Sequence, residues 1–308
     1  MFTLIKSGTS IDFVGNRRLA FVVSGAIVLL SLAAILVVGP RWGIDFAGGT
    51  LVHVRFTDPV AIGALRTALA DVGGEVSVQD FGTAPGEYLL RVPESGSDLA
   101  GFGARIEEKL DGAFGEDAYE VLRTEAVGPR VGEELRRKGI LAIVVATVMM
   151  GVYIGLRFEI RFGVGAAVAL AHDVLVAIGA LIVMGYEFDL TIVAALLTVV
   201  GFSVNDTVII SDRIRENMRK IRRQPISAII NQSINETLSR TVLTAGTTLL
   251  VILALFVFGG SVIHGFAFAL LVGITVGTYS SIFVASPIVL ALEKRGSARS
   301  ERPARAAS

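Results

Sequence analysis

The sequence predicts a mainly α membrane protein with six transmembrane helices and one ferredoxin-like α+β domain, set on the outer, non-cytoplasmic side between helices 1 and 2. Three observations lead there. Of 308 residues, 53% are apolar and only 18% charged, with a mean hydropathy of +0.68. Soluble domains carry about 25% charged residues. The apolar residues fall into six runs, near 19–38, 139–156, 162–184, 190–211, 241–259 and 264–292. Each approaches the roughly 20 residues that a helix needs to cross a bilayer. Between the first two runs lie about 100 residues with alternating and helical patterns of their own.

The first run, LAFVVSGAIVLLSLAAILVV, follows Asn16-Arg17-Arg18. It is too long for a signal-peptide core and has no small-residue cleavage site after it, so it reads as a retained anchor. Lysine and arginine set the orientation. They cluster at the N-terminus (Lys6, Arg17, Arg18), between spans 2 and 3 (Arg157, Arg161), between spans 4 and 5 (Arg213 to Arg223) and in the tail (Lys294 to Arg305). The turns 185–189 and 259–264 carry none. Both termini are therefore expected in the cytoplasm, and the large loop outside. Arg136, Arg137 and Lys138 fall on the outer side, where a long translocated loop largely escapes the charge rule, and are read as part of an interfacial helix.

The expected division is a cytoplasmic N-terminus at 1–18, span 1 at 19–39, the outer domain at 40–138, and spans 2 to 6 at 139–292. A cytoplasmic loop at 212–240 is amphipathic, basic in its first half and broken near Pro225. Residues 293–308 form a disordered tail. In the outer domain GTLVHVRF (49–56) alternates as a strand and 60–73 has helical spacing. Segments 75–81 and 87–92 are short strands around a turn. Segment 97–114 is a helix capped by Ser97, and 117–127 is a last strand. The order βαββαβ is the split βαβ unit. With 15 acidic and 8 basic residues between 40 and 130, this domain is unsuited to nucleic acid.

Cysteine is absent and the three histidines are scattered, so thiol chemistry and a metal centre are not expected. Nothing calls for a cofactor or an enzyme. Charges inside spans are costly and each needs a reason. Asp206 lies in span 4, seven residues or about 10 Å of helix inside Arg213, flanked by Ser203, Asn205 and Thr207. It is a candidate proton-binding carboxylate, or else a structural hydrogen-bonding group. Arg240 enters span 5 with Thr244 one turn further on the same face. It reads as a switchable partner of Asp206, or as a snorkelling arginine. Asp173, beside His172 in span 3, is a candidate second relay carboxylate or a structural residue. Two aspartates on neighbouring spans raise an intramembrane aspartyl protease, but His172-Asp173 and Val204-Asn205-Asp206 do not fit its motifs. The G-x-x-x-G matches GVYIG and GITVG signal close helix contact only.

Several motifs together resemble one family. Gly43-Ile44-Asp45-Phe46-Ala47-Gly48-Gly49-Thr50, VGPRVGEELRRKG (127–139), GFSVNDTVIISDRIRENMRKIRR (201–223) and SRTVLTAGTTL (239–249) are similar to elements of the SecD/SecF family, part of the RND superfamily. The likeness runs to about residue 295, and the compact outer loop places it on the SecF side. The resemblance implies a bacterial inner-membrane component of protein export that uses the proton-motive force. Its implied partners are SecD, the SecYEG channel, a YajC-like accessory and unfolded preproteins. Anionic lipid is expected at the basic cytoplasmic segment. The resemblance implies a proton path through Asp206, Arg240 and Thr244, with Asp173 less firmly on it. It makes Asp45, Gly48 and Gly49 coupling residues, although a glycine turn opening a strand explains the same glycines. Two further readings stay open at this point: a small-molecule half-transporter of the same superfamily, and a non-catalytic scaffold of the translocase.

Overall fold

The computed structural model describes residues 10–72, 76–80, 86–92, 99–221 and 223–293. Ser97, Lys6, Arg222 and the tail from residue 294 lie outside them. Long unbroken apolar stretches close their own backbone hydrogen bonds as helices. The first span is α1 (Arg17–Ala33), continued by a π-helical turn (Ala34–Val38). After it come β1 (Arg41–Trp42) and a one-turn helix, α2 (Ile44–Ala47). The outer domain is β2 (Gly49–Phe56), α3 (Ile62–Ala68), β3 (Ser77–Asp80), β4 (Glu87–Val92), α4 (Leu99–Phe114) and β5 (Tyr119–Val127). The remaining elements are α5 (Pro129–Arg157), α6 (Ile160–Val183), β6 (Glu187–Phe188), α7 (Leu190–Lys220), α8 (Ile226–Phe258) and α9 (Gly260–Ser280). A second π turn (Ser281–Ala285) follows α9, and the sixth span ends at Glu293.

The sheet order is β3-β4-β2-β5, every neighbouring pair antiparallel. This is the split βαβ arrangement. One face alternates Val52, Val54, Phe56, Leu90 and Val92 inward, against Leu65, Leu69, Ile106 and Leu110 of the two helices. The other face carries no helix and turns toward the ends of the bundle.

The six spans form two classes. The apolar windows of α6, α7 and the sixth span are 61%, 50% and 56% buried, those of α1, α5 and α8 only 11–17%. The first three are therefore the inner helices and the other three the lipid-facing ones. This ordering decides the cost of a charge: both intramembrane aspartates sit on inner helices.

Two expectations change. The segment 212–240 is not a loop. Helix α7 continues to Lys220 and α8 opens at Ile226, so only a few residues around Pro225 break the path. The extension is held by charge: Arg213 donates to Glu216 (2.6 Å) and Glu236 (2.5 Å), and Asn217 donates to Ser233 and Glu236. Such pairings let helices project past an apolar window. Likewise 129–138, expected as an interfacial helix within the outer domain, is helical but continuous with span 2, forming the first turns of α5.

Candidate functional site

The site begins where the outer domain meets the bundle. Gly43 donates its N–H to the carbonyl of Phe188 (2.7 Å), joining β1 to β6 in parallel. The turn of α2 buries Phe46 among Ala34, Leu181, Phe188 and Ile192. The Asp45 carboxylate accepts the Leu190 N–H at 2.9 Å. Asp189 accepts the Ile192 N–H at 2.8 Å. Two carboxylates thus satisfy orphan donors at the N-terminus of α7, where the helix dipole favours them. Gly48 has φ +78° and Gly49 φ +128°. A Cβ on Gly48 would stand 2.9 Å from the Pro129 Cα at the start of α5. The segment 43–49 therefore fastens to the starts of α5 and α7 together, which a simple turn opening β2 would not do.

Sixteen residues along α7, about 24 Å at 1.5 Å per residue, lies Asp206. It is almost fully buried, and neither carboxylate oxygen has a hydrogen-bond partner among the described residues. Its presumed polar surround divides differently. Asn205 is exposed, while Ser203 and Thr207 serve another site. Ser203 donates to Asp173 at 2.6 Å and Thr207 meets the Ser281 hydroxyl at 2.8 Å. Successive helix positions turn by about 100°, so neighbours in sequence face different helices.

Asp173 is the opposite case. One oxygen accepts from Ser203 of α7 (2.6 Å) and Ser280 of α9 (2.8 Å), the other pairs with His172 Nδ1 (2.9 Å). Three inner helices meet on one carboxylate. The Ser280, Ser281 and Thr207 hydroxyls extend the network to the π turn after α9. The serine pair 280–281 in mid-span was the sequence signal for this cluster; it has no meaning until the faces of α6 and α9 are known.

Arg240 does not pair with Asp206 in this structure. It is exposed and lines a polar cavity of about 710 Å³ between α5, α7 and α8, together with Arg157, Asp212, Arg213, Glu216 and Glu236. The cavity reaches α7 at Val208 and Ile209, two and three residues beyond Asp206. Thr244 is half-buried one turn further along α8, where its carbonyl accepts from Thr247 and Thr248. Thr241, which sequence reasoning passed over, is buried on the inner face of α8 with its hydroxyl unpartnered. The structure thus brings Arg240 to a polar cavity, leaves the buried Asp206 without a hydrogen-bond partner among the described residues, and sets Asp173 apart.

A family model described as protein export membrane protein SecD/SecF, C-terminal, matches residues 106–295. A second, the SecD/SecF GG motif, matches residues 33–60. The chain belongs to the SecD/SecF family. It is 50% identical over 289 residues to the protein translocase subunit SecF of Magnetococcus marinus, covering 92% of this chain and 93% of the relative. The SecF of Escherichia coli O157:H7 is 42% identical, over 91% of this chain and 87% of its own. Among solved structures, SecDF of Thermus thermophilus, described as translocon-associated, superposes with a TM-score of 0.82 at 39% identity over 93% of this chain. This chain spans about two-fifths of that longer one, 39% of its length. The match to the GG motif contains the segment 43–49 that docks on α5 and α7. Six apolar helices in a family of membrane subunits make this a multi-pass membrane protein.

Proposed function

We propose that this chain is the SecF-type subunit of the bacterial protein-export machinery, coupling proton flow across the inner membrane to outward movement of unfolded preproteins. It works with SecD, beside the SecYEG channel and a YajC-like accessory, as a transport component rather than an enzyme. Both termini are cytoplasmic and the sheet domain periplasmic, the orientation favoured by the arginine and lysine distribution. The basic end of α7 faces anionic lipid.

The observation that carries the coupling is Asp206: a carboxylate buried on an inner helix with both oxygens unpartnered. A buried charge without partners is expensive, so this packing suits the neutral acid. Loss of the proton creates a charge that demands a partner. Arg240, in the adjoining cavity and ion-paired with no carboxylate among the described residues, is the group to supply it. Proton binding and release then switch α7 and α8 between two packings. Helix α7 begins at Asp45 and Asp189, so a shift of α7 is passed to the GG segment and the sheet domain. One charge crossing 100 mV supplies about 2.3 kcal/mol, enough to bias a two-state element roughly fiftyfold. Repeated strokes are needed to move a long polypeptide.

The test is Asp206→Asn in inverted membrane vesicles containing SecD and a preprotein stalled after ATP-driven initiation. Gradient-stimulated export should be lost while ATP-driven initiation continues. Undiminished stimulation would leave only a scaffold role.

A further inference from the structure

The turn between α5 and α6 joins an apolar groove that the transport reading does not use to a pair of arginines, one of which, Arg157, also lines the Arg240 cavity. On the lipid-facing side, Val148, Val152, Leu156, Ile160 and Val164 wall an apolar groove of about 390 Å³ between the two helices. Its walls are strongly exposed, Leu156 to 85% and Ile160 to 80%. The groove exists because glycines let the backbones approach: a Cβ on Gly163 would lie 2.6 Å from the Gly151 carbonyl oxygen. In the turn between Leu156 and Ile160 of the groove wall, the buried Phe158 ring faces the Arg240 cavity and lies against two guanidinium groups. Arg157 is 5.5 Å from its centre and Arg215, reaching over from α7, is 6.0 Å away.

Neither arginine is neutralised. Of the nearby carboxylates, Glu216 is engaged by Arg213 and Lys220, Glu236 by Arg213, and Glu159 and Glu293 by Arg161, while Asp212, which shares a cavity with each arginine, is ion-paired with neither. Arg157 and Arg215 form no ion pair with any described residue. The first N–H groups of the 24-residue helix α6 open at the same turn, and their partial positive charge adds to that of the arginines.

We propose that this turn binds one anionic phospholipid, its phosphate between Arg157 and Arg215 and one acyl chain in the α5–α6 groove. A free anion would use the arginines and ignore the groove. A partner helix would fill the groove and leave the arginines uncompensated. A ligand with an anionic head directly joined to an apolar tail satisfies both. The proposal rests on the anionic-lipid contact put forward above and assigns it to a site; it is independent of proton coupling.

The measurement is native mass spectrometry of the full chain with its SecD partner, released from bicelles of phosphatidylethanolamine containing phosphatidylglycerol. The wild type should retain phosphatidylglycerol in preference. Each arginine near a membrane surface is worth about fivefold in affinity, so Arg157→Gln with Arg215→Gln should cut retention by roughly 25-fold. Val152→Trp, which fills the groove from outside, should cut retention with both arginines present. Arg219→Gln with Arg223→Gln, in the basic segment whose lipid contact is diffuse, should cut retention far less than the Arg157/Arg215 change. A size-exclusion profile like that of the wild type establishes that each variant is folded. No preference for phosphatidylglycerol in the wild type would remove the lipid contact altogether. A preference that survives the Arg157/Arg215 change, or falls equally with Arg219/Arg223, would overturn this site and leave a diffuse charge effect. Equal competition by glycerol phosphate would reduce it to an anion site. Cross-linking of Val152→Cys to a second subunit in native membranes would show the groove to be a helix interface instead.

Discussion

Asp173 and Asp206 lie on adjacent inner helices, both almost inaccessible, yet they are built in opposite ways. Asp173 has a partner at each oxygen, drawn from three helices. Asp206 has none. Burial is therefore not what separates a fixed carboxylate from a switchable one; satisfaction is. A saturated acid gains nothing by moving. An unsatisfied one has a reason to change either its protonation or its neighbour. Asp173 joins α6, α7 and α9 through its hydrogen bonds and Asp206 joins nothing; the proposed proton switch rests on that difference.

The largest expected effect breaks the comparison directly. Asp173→Ala removes the acceptor for Ser203, Ser280 and His172 at once, leaving buried donors unpaired. The cost should be about 3 kcal/mol, read as lost thermal stability in detergent. Asp206→Asn should change that stability by less than about 1 kcal/mol, since no hydrogen bond is lost. If the two substitutions destabilise equally, the distinction between saturated and unsatisfied carboxylates is wrong.

The next effect concerns the fastening of the sheet domain. Gly48 combines φ +78° with a backbone neighbour at 2.9 Å from a built Cβ. Gly48→Ala should cost about 2 kcal/mol in backbone strain alone, and should part α2 from α5. Protease sensitivity of the 40–50 segment measures it. Resistance like that of the wild type would mean that the segment has room to relax. Asp45→Ala removes one charge-assisted contact to Leu190 N–H and should cost about 1 kcal/mol. The two substitutions should differ in kind: Gly48→Ala disturbs α5, Asp45→Ala the start of α7. Amide exchange at the two helix starts tells them apart.

How much of this was legible follows from the range of each signal. The spans were, because a run of 20 apolar residues has one inexpensive conformation in lipid. So was the sheet: the alternation of 49–56 is β2, residue for residue, and 87–92 is β4. The lengths of α7 and α8 beyond the membrane were not legible, because Arg213, Glu216 and Glu236 read as solvated charges until they pair across two helices. The surround of Asp206 was misread for the same reason. Sequence places Ser203 and Thr207 beside it; only the packing of α6 and α9 shows that they belong to Asp173 and Ser281. The one-turn helix α2 was hidden because its four residues carry too little pattern, although its aspartate and glycines stood out.

The smallest effect tests whether the sheet domain is held at one point or two. Besides the GG segment, Arg91 of β4 forms an ion pair with Glu187 of β6, and Gln79 of β3 donates to the same carboxylate at 3.3 Å. Side-chain exposures of 22% and 31% place the pair at the edge of solvent, where such pairs contribute about 0.5 kcal/mol. Arg91→Gln should therefore scarcely alter the unfolding temperature. The orientation of the sheet is another matter, because its helix-free face meets the bundle through this contact and a cleft of about 570 Å³ lined by His53, Gln79, Arg123 and Tyr186. Spin labels on α3 and on the α8–α9 turn should report a broader distance distribution in the variant, and the wild type should broaden toward it as salt screens the pair. An unchanged distribution would mean that the GG segment alone orients the domain. A stroke begun at Asp206 would then reach the sheet by the single route through Asp45.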